Sequence, residues 1–547
     1  MKIKKYLLII ILIVAAVLRL WRLGSIPPSL TPDEASLGYN AFSILKTGKD
    51  EYGTPLPIIF KSFGDYTPGL YVYLTVPFVA VLGLNELAVR LPNALGGVFV
   101  VYLLYLLTKK SSKQFGLVVA FLAATNPWLI YFSRGAWLPN VSLALTLIGI
   151  YFFLKSIDRT KYIVHSAIFF ALTLLSYQGA KLSTGIVLLI LALVFWKEVV
   201  KIEKKYYLRG FILGLIITLP IIASLFEGKT GRLNVVSIFS YSRSVESVQK
   251  LLNEGNEKIG GLTHVLYHSE GLNYLRAILG RWFNNYSGRF LFFEGDWEHP
   301  RFGALYMGVM LFSDIILIIA GLSVVIKNLK NKYVQLLLLL LILSPLPSAF
   351  SRDIVHAARS LNMIIPLIII SSLGAVEIFK AHHIFFIPFL ALTFLSFVYF
   401  LDAYFMHLPI HNAKYWDYGY REVVETILPI QSNYQKIVFQ QSYEQPFIYF
   451  LFYGAQKGYQ AYMPEQVQKR LVLKDSSAGD VGLVEQLDNI NFRFVGWPIT
   501  EEEKTLIIVD GVTAPKEIIG SDYKFISQIM YPDKVSTAFN IIEVKKK

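Results

Sequence analysis

The sequence predicts an α-helical polytopic membrane protein that ends in a small soluble α/β domain. Of its 547 residues, 54% are hydrophobic and only 16% are charged. Apolar runs of about 17 to 25 residues, the length that spans a bilayer, recur up to about residue 403. After that point, short β-branched stretches alternate with helical ones. The absence of Cys excludes disulfides, thiolate metal sites and a Cys nucleophile.

The apolar runs predict about eleven transmembrane helices. The first run follows a Lys-rich N-terminus and lacks a small-residue cleavage site, which indicates an uncleaved anchor. A further run, 69–84, is short and contains Pro77, so we do not count it as a span. The predicted spans are 5–23, 90–108, 114–132, 141–155, 162–178, 182–197, 208–226, 304–326, 333–349, 361–379 and 384–402.

The formal net charge of +14 arises largely from Lys and Arg residues in the turns between apolar runs. The positive-inside rule places these turns and the N-terminus in the cytosol. This orientation leaves the loops 24–89 and 227–303 on the outer side, and it requires that 69–84 lie at the outer interface or re-enter the membrane. We therefore expect a multi-pass plasma-membrane protein in contact with lipid, and no nucleic-acid partner.

The predicted domains are a transmembrane catalytic domain, 1–403, and an outer α/β domain, 404–547. In the second domain, alternating apolar residues predict strands, and longer periodic runs predict helices. The predicted strands are 436–439, 505–509 and 539–544, and the predicted helices are 420–430 and 444–453.

Chemistry is most clearly indicated by Thr31-Pro32-Asp33-Glu34 in the first outer loop. Thr at the N-cap, Pro at N1 and Glu at N3 form a capping box, so the stretch also has a purely structural interpretation as the start of a helix. The two interpretations are compatible, because Glu34 folds back on the Thr31 amide while Asp33 points into a cavity. Asp33 is the predicted general base, which takes a proton from an attacking hydroxyl. We also count Glu34 among the substrate-binding residues.

The same loop carries a second acid, Asp65, next to Tyr66, and both are predicted to bind substrate. Asp65 has an alternative interpretation as a turn residue before Thr67 and Pro68. Together Asp33 and Asp65 could hold a divalent metal, although two carboxylates without an acidic loop are a weak metal signal. The sequence predicts no other cofactor.

Four outer-side cations, Arg134, Lys181, Arg352 and Arg359, lie at helix ends beside the membrane, the last two around His356. Guanidinium groups bind phosphate through two parallel hydrogen bonds, so these cations and His356 are predicted to bind an anionic substrate. The alternative is that the cations extend to lipid headgroups, and we favour that alternative for Lys181.

The second outer loop contains two histidines at i and i+4, His264 and His268, and a polar cluster from Asp296 to His299. The spacing of His264 and His268 suits zinc, but the Glu of the metalloprotease signature is missing. We interpret these side chains as polar contacts or substrate-recognition groups.

The pattern as a whole resembles the GT-C membrane glycosyltransferases, in the family 39-like branch with protein O-mannosyltransferases and the aminoarabinose transferases of lipid A. The resemblance covers about 1–400 and depends on short motifs around an outer loop that follows one span. These are Pro32-Asp33-Glu34, Gly64-Asp65-Tyr66-Thr67-Pro68-Gly69-Leu70-Tyr71, Arg90-Leu91-Pro92-Asn93-Ala94-Leu95-Gly96-Gly97, Tyr131-Phe132-Ser133-Arg134 and His356-Ala357-Ala358-Arg359-Ser360.

The resemblance implies transfer of a sugar from a polyprenyl-phosphate donor, with inversion, on the non-cytosolic side. Asp33 would then be the base, Asp65 would shape the site, and Arg134 and Arg359 would hold the lipid phosphate. The chain departs from many relatives at Asn140, where they carry an acid, and after Asp65, where some carry Lys-Pro-Pro.

Two other classes of function stay open from the sequence. One is a transporter or channel with an exported sensor domain, but transporters tend to show repeats and polar breaks at the bilayer midplane. The other is a membrane scaffold whose C-terminal domain binds a partner. The sequence does not identify the sugar or the acceptor, which could be a protein, lipid or glycan hydroxyl.

Overall fold

The computed structural model describes residues 2–63, 65–227, 236–381, 383–441, 445–473, 484–497, 499, 504–512 and 523–545. Part of the predicted outer loop, 228–235, and the predicted helix start at 444 lie outside the described residues.

The part of the chain before the C-terminal domain is mostly helical, as its apolar runs predict. The helices are α1 (Lys2–Leu20), α2 (Pro32–Thr47), α3 (Leu70–Leu82), α4 (Glu86–Thr108), α5 (Lys113–Thr125), α6 (Pro127–Arg134), α7 (Leu138–Asp158), α8 (Tyr162–Leu174), α9 (Ala180–Val194), α10 (Trp196–Val199), α11 (Lys204–Phe226), α12 (Val245–Glu254), α13 (Glu270–Asn284), α14 (Asp314–Lys327), α15 (Lys332–Leu343), α16 (Leu346–Ala349), α17 (Ile364–Ala381), α18 (His383–Asp402) and α19 (Leu408–His411).

Each predicted span overlaps one of these helices. Within the described residues, 6 helical stretches are individually long and apolar enough to cross a membrane, or up to 7 if α5 and α6, which meet at 56°, form one broken span. Other predicted spans correspond to shorter apolar helices such as α8 and α9. The total of about eleven therefore stays a prediction.

The predicted start of the span 304–326 is wrong. The backbone turns between Ala304 and Met307, where Tyr306 has a φ of 55°, and α14 begins only at Asp314. The apolar residues before Asp314 are instead buried among the helices: Val309, Met310 and Leu311 are at most 2% exposed. Hydropathy alone does not distinguish this buried loop from a membrane helix.

The doubtful run 69–84 forms the 13-residue helix α3. At 1.5 Å per residue it is about 20 Å long, which is shorter than the roughly 30 Å hydrocarbon core. Its length agrees with the expectation that this segment does not span the membrane.

The predicted first outer loop folds into helix α2 and a short hairpin of β1 (Ile59–Ser62) and β2 (Asp65–Pro68). The strands pair antiparallel, with Ser62 opposite Asp65 and Ile59 opposite Pro68. Helix α2 packs on α3 and α4 at one end of the helical bundle. The loop therefore holds its two predicted site acids, Asp33 on α2 and Asp65 on β2, in regular secondary structure.

The C-terminal region forms a seven-stranded mixed sheet within the described residues. Its order is β4-β5-β6-β3-β7-β9-β8, and β3 pairs parallel with both β6 and β7. The predicted strands and helices are all found with small shifts in their bounds. The elements are α20 (Tyr420–Ile427), β3 (Lys436–Gln440), α21 (Phe447–Gln456), α22 (Pro464–Val467), β4 (Leu471–Leu473), β5 (Val484–Leu487), β6 (Ile490–Arg493), β7 (Thr505–Asp510), β8 (Tyr523–Met530) and β9 (Thr537–Val544).

The sheet and the first outer loop share one hydrophobic core. Helix α21 is buried along Phe447–Ala455 because it lies between the sheet and α2. A helix that is apolar on every side is stable in water only when it is covered in this way. The Tyr449 hydroxyl donates to the Leu30 carbonyl at 3.0 Å, and the Tyr39 hydroxyl donates to the Tyr462 carbonyl at 2.9 Å.

Candidate active site

The predicted capping box is present at the start of α2. The Glu34 backbone N–H donates to Thr31 Oγ1 at 3.3 Å, and the Thr31 N–H donates to Glu34 Oε2 at 3.1 Å. Pro32 occupies the first helical turn, where its missing N–H has no cost. The capping box therefore fixes the direction of both adjacent carboxylates.

Glu34 is buried, with a 1% exposed side chain, and its oxygens are fully used by the protein. Arg90 donates from Nε to Oε1 at 2.9 Å and from Nη2 to Oε2 at 3.1 Å, and the Ala136 N–H donates to Oε1 at 2.9 Å. The prediction that Glu34 binds substrate is therefore wrong for this structure. A carboxylate beside a guanidinium and two backbone N–H groups has a structural role.

Asp33, one residue earlier, is exposed and lines a cavity of about 330 Å³. Its position in the first turn of α2 favours negative charge, because the N-terminus of a helix carries partial positive charge. The structure brings four other predicted residues to the same cavity: Asp65, Lys181, His356 and Arg359. Sequence segments far apart in the chain thus converge on Asp33.

Asp65 combines both of its predicted roles. Its Oδ1 accepts the Tyr66 N–H at 2.7 Å, as a turn residue does, and its Oδ2 accepts Gln178 Nε2 at 3.3 Å. Asp65 and Thr67 line the cavity and Tyr66 does not, because alternate residues of a strand point to opposite faces. Substrate binding by the Tyr66 side chain stays a prediction, while its carbonyl accepts a hydrogen bond from Gln178.

The cavity contains three cations, of which Lys61 was missed in the sequence. Arg359 pairs with Asp353, and its side chain is 18% exposed. Lys181 lies at the start of α9, where the Asp65 charge acts on it. Three cations and two carboxylates make the lining net positive, which suits an anionic ligand.

Arg134 does not reach this cavity, which corrects the prediction that it binds phosphate. It is fully buried and donates to the carbonyls of Leu18 at 2.9 Å, Trp21 at 2.7 Å and Ile26 at 2.9 Å. These carbonyls lie at and beyond the end of α1, where a helix leaves acceptors without partners. Arg134 therefore binds the C-terminal end of α1, which also explains why a cation is tolerated there.

His356 is buried and lines the cavity. Burial lowers the pKa of His356 well below its ordinary value, and the nearby Arg359 and His299 lower it further. The imidazole is thus neutral near pH 7 and can accept a hydrogen bond or ligate a metal. Among the described residues, Asp33 and Asp65 are not joined by a third His, Asp or Glu in a metal-binding group. A metal at those two carboxylates stays a prediction.

The wall of the cavity includes four aromatic side chains, Phe60, Phe63, Trp137 and Phe302. Trp137 follows the turn that contains Arg134, and its position next to that motif is the only sequence signal that indicated a place in the site. Asn140, at the position where the resemblance suggested an acid, is buried and donates to Asn93 Oδ1 at 2.9 Å. It therefore has a structural role in this chain.

Comparisons with known proteins agree with this arrangement. Residues 67–223 match the sequence profile of a family described as dolichyl-phosphate-mannose-protein mannosyltransferase. The fold is similar to that of ArnT from Cupriavidus metallidurans bound to undecaprenyl phosphate, with a TM-score of 0.57, 11% identity and coverage of 97% of each chain. The chain has a GT-C fold. The predicted resemblance to GT-C membrane glycosyltransferases is thereby confirmed, and the chain is a multi-pass membrane protein.

Two further solved structures are similar to most of the chain. ArnT from Cupriavidus metallidurans in the apo state has a TM-score of 0.50 at 12% identity and covers 81% of this chain and 83% of that chain. The apo oligosaccharyltransferase of Archaeoglobus fulgidus has a TM-score of 0.48 at 13% identity, over 83% of this chain and 64% of that chain. No curated protein matches the sequence significantly.

Proposed function

We propose that this GT-C protein is an inverting glycosyltransferase that moves a sugar from a polyprenyl-phosphate donor to a hydroxyl of a protein, lipid or glycan. The observation that carries the proposal is the convergence of Asp33 with Lys61, Lys181 and Arg359 in one cavity. A transfer of this kind needs a base for the acceptor and cations for the leaving phosphate, and the cavity provides both.

In the proposed reaction, Asp33 takes the proton of the acceptor hydroxyl as the oxygen attacks the anomeric carbon. The bond between that carbon and the phosphate oxygen breaks on the opposite face, so the configuration inverts. The electron pair of the broken bond stays on the lipid phosphate, where Arg359 and Lys181 stabilise the added charge. The aromatic wall around Trp137 and Phe302 offers an apolar face for the sugar ring.

The proposed location is the plasma membrane, with the N-terminus in the cytosol and the cavity and sheet outside. The basic turns support this orientation, because the predicted spans place them on the opposite side of the membrane from the two long loops. Asp158 and Lys110, which form an exposed ion pair between cytosolic turns, lie at the end predicted to be inside.

The proposal is tested by Asp33→Asn in the purified full-length protein or in membranes, supplied with labelled polyprenyl-phosphate sugars and candidate acceptors. We expect transfer to fall by at least about 100-fold, the lower end of the range that general acid–base catalysis usually contributes. Because Asn keeps the shape of Asp and the capping box does not use Asp33, the melting temperature should fall only slightly, by the small contribution of a charge at a helix N-terminus.

Asp158→Asn is the matched control, since it removes an exposed carboxylate that is remote from the cavity. Transfer by this variant should equal the wild-type rate. Undiminished transfer in Asp33→Asn would refute the assignment of the base. Two alternative functions predict a different result. If the protein transports a sugar lipid without transfer, or only binds a partner through its C-terminal domain, neither the wild type nor the two variants will show turnover.

A further inference from the structure

We propose that Asp296, His299 and His356 bind a divalent transition-metal ion of the zinc type beside the cavity. Each residue offers one ligand atom, and these atoms all lie within 4.8 Å of one another. This site is separate from Asp33 and Asp65, the two acids that the sequence suggested for a metal. It also does not depend on the proposed sugar transfer.

The three ligands come from two outer segments that are tied together by one carboxylate. Asp296 Oδ1 accepts the His299 backbone N–H at 3.0 Å, and Asp296 Oδ2 accepts the Ala357 N–H at 2.7 Å. The imidazole rings of His299 and His356 lie 4.5 Å apart between centroids. The backbone thus holds the group in place before any ion arrives, which is how proteins prepare a metal site.

A buried nitrogen without a partner points to a ligand in this group. His356 is 8% exposed, and among the described residues its Nδ1 has no hydrogen-bond partner. Burying a polar atom without a partner is unfavourable, so such atoms usually indicate an absent water or ion.

The ligand set indicates which ions fit. Two imidazoles and one carboxylate are the protein ligands of many zinc sites that have an open fourth position. Calcium and magnesium prefer oxygen ligands, so the two imidazoles make binding of either ion unfavourable. Tetrahedral zinc with bonds of about 2.1 Å needs ligand atoms about 3.4 Å apart, so the group must contract slightly. His299, which is partly exposed, has room to make that movement.

The position of the site gives the ion a specific effect on the cavity. His356 lines the cavity and precedes Arg359 by one turn of chain. An ion shared by the segments 296–299 and 356–359 would fix the turn that carries Arg359. It would also add positive charge next to the cavity wall, where an anionic ligand benefits from it.

The test uses full-length protein purified in detergent without a polyhistidine tag and stripped with a chelator. Titration with Co²⁺ should give one equivalent of a visible absorption spectrum, and Zn²⁺ should displace it. Elemental analysis should then find one zinc per chain. Zn²⁺ should also raise the melting temperature, because an ion that binds only the folded state stabilises it.

His299→Ala and His356→Ala should each lower the affinity for Co²⁺ by more than the 10- to 100-fold that loss of a metal's outer partner typically causes. Their melting temperatures should no longer respond to Zn²⁺. His264→Ala combined with His268→Ala is the matched control, since this pair belongs to no metal-binding group among the described residues, and binding should be unchanged.

The proposal is overturned if the stripped wild type binds no Co²⁺ or Zn²⁺, or if His299→Ala and His356→Ala bind as the wild type does. His299→Ala keeps the test decisive if His356→Ala fails to fold, because His299 is partly exposed. Binding is measured without sugar donor, so its result is independent of the outcome for Asp33→Asn.

Discussion

Glu34 and Arg90 form a buried ion pair in which Oε1 and Nε are 2.9 Å apart and both side chains are at most 1% exposed. The pair joins the first turn of α2 to α4, and Arg90 Nη1 also donates to the carbonyls of Leu23 and Pro27 at 3.2 and 2.9 Å. Because Asp33 adjoins Glu34, this ion pair sets the position of the proposed base. Two neighbouring acids thus have different tasks: one holds the loop and the other faces the cavity.

Removal of the Glu34 carboxylate should destabilise the protein severely. Glu34→Ala leaves the Arg90 charge buried without a partner, which typically costs about 3–5 kcal/mol. We expect a large fall in melting temperature and in the yield of monodisperse protein. Asp33→Asn, one residue away, should melt close to the wild-type temperature. A wild-type melting temperature for Glu34→Ala would contradict the structural role.

Arg359 and Arg134 should respond differently to mutation. Arg359→Ala should raise the KM for the polyprenyl-phosphate donor by at least about tenfold, while Arg359→Lys should recover part of the loss because it restores charge but not the planar fork. Steady-state kinetics with a labelled donor measure both. The matched control is Arg352→Ala, an exposed neighbour outside the cavity.

Arg134→Ala should instead lower stability, because three carbonyls near the end of α1 lose their donor. Each hydrogen bond that a buried charged group loses costs up to roughly 1.5–3 kcal/mol of stability. Thermal melting and size-exclusion profiles test this prediction. A well-folded Arg134→Ala protein that shows only a raised KM for the donor would contradict the structural role of Arg134 at the end of α1.

Stability should depend on pH through Glu51, which is fully buried in the first outer loop. Burial raises the pKa of Glu51 from 4.5 to about 8, against the opposing effect of Asn40. Between these values the folded protein holds a proton that the unfolded chain releases, so stability should fall as pH rises from about 5 to about 8.

Glu51→Gln should remove this part of the pH dependence, because a neutral amide does not titrate. Melting temperatures measured at several pH values in this range give the slope for each protein. Glu254→Gln, at an exposed site, should keep the wild-type slope. An unchanged slope in Glu51→Gln would show that its carboxyl ionises normally in the folded state.

The contact between α2 and the C-terminal region should not tolerate an added methyl group at Gly38. A Cβ there would lie 2.5 Å from Val89 Cγ2 and 2.7 Å from Phe452 Cε2. Overpacking of this kind typically costs about 1–3 kcal/mol. Gly38→Ala should therefore lower the melting temperature, whereas Gly185→Ala, in a helix with open space around it, should leave it unchanged or raise it. Equal effects at both sites would argue against the shared core.

Segments whose structure depends on nearby residues were predictable. The capping box from Thr31 to Glu34 forms because each partner is within four residues, and α21 is helical because its local pattern favours it. Strands β3, β7 and β9 follow from their β-branched composition. The start of α14 was missed because a buried loop and a membrane helix have similar hydropathy.

The sequence by itself determined the membrane class, the helical bundle with its α/β appendage, and Asp33 as the exposed acid, because transfer free energy, periodicity and capping are local properties of the chain. Only the tertiary structure decided which charges meet. Long-range packing placed Arg359 at the cavity and Arg134 at the end of α1, buried Glu34 against Arg90, and brought His299 to His356. Such contacts depend on where distant segments pack, and hydrogen bonds between them leave no periodic trace in the sequence.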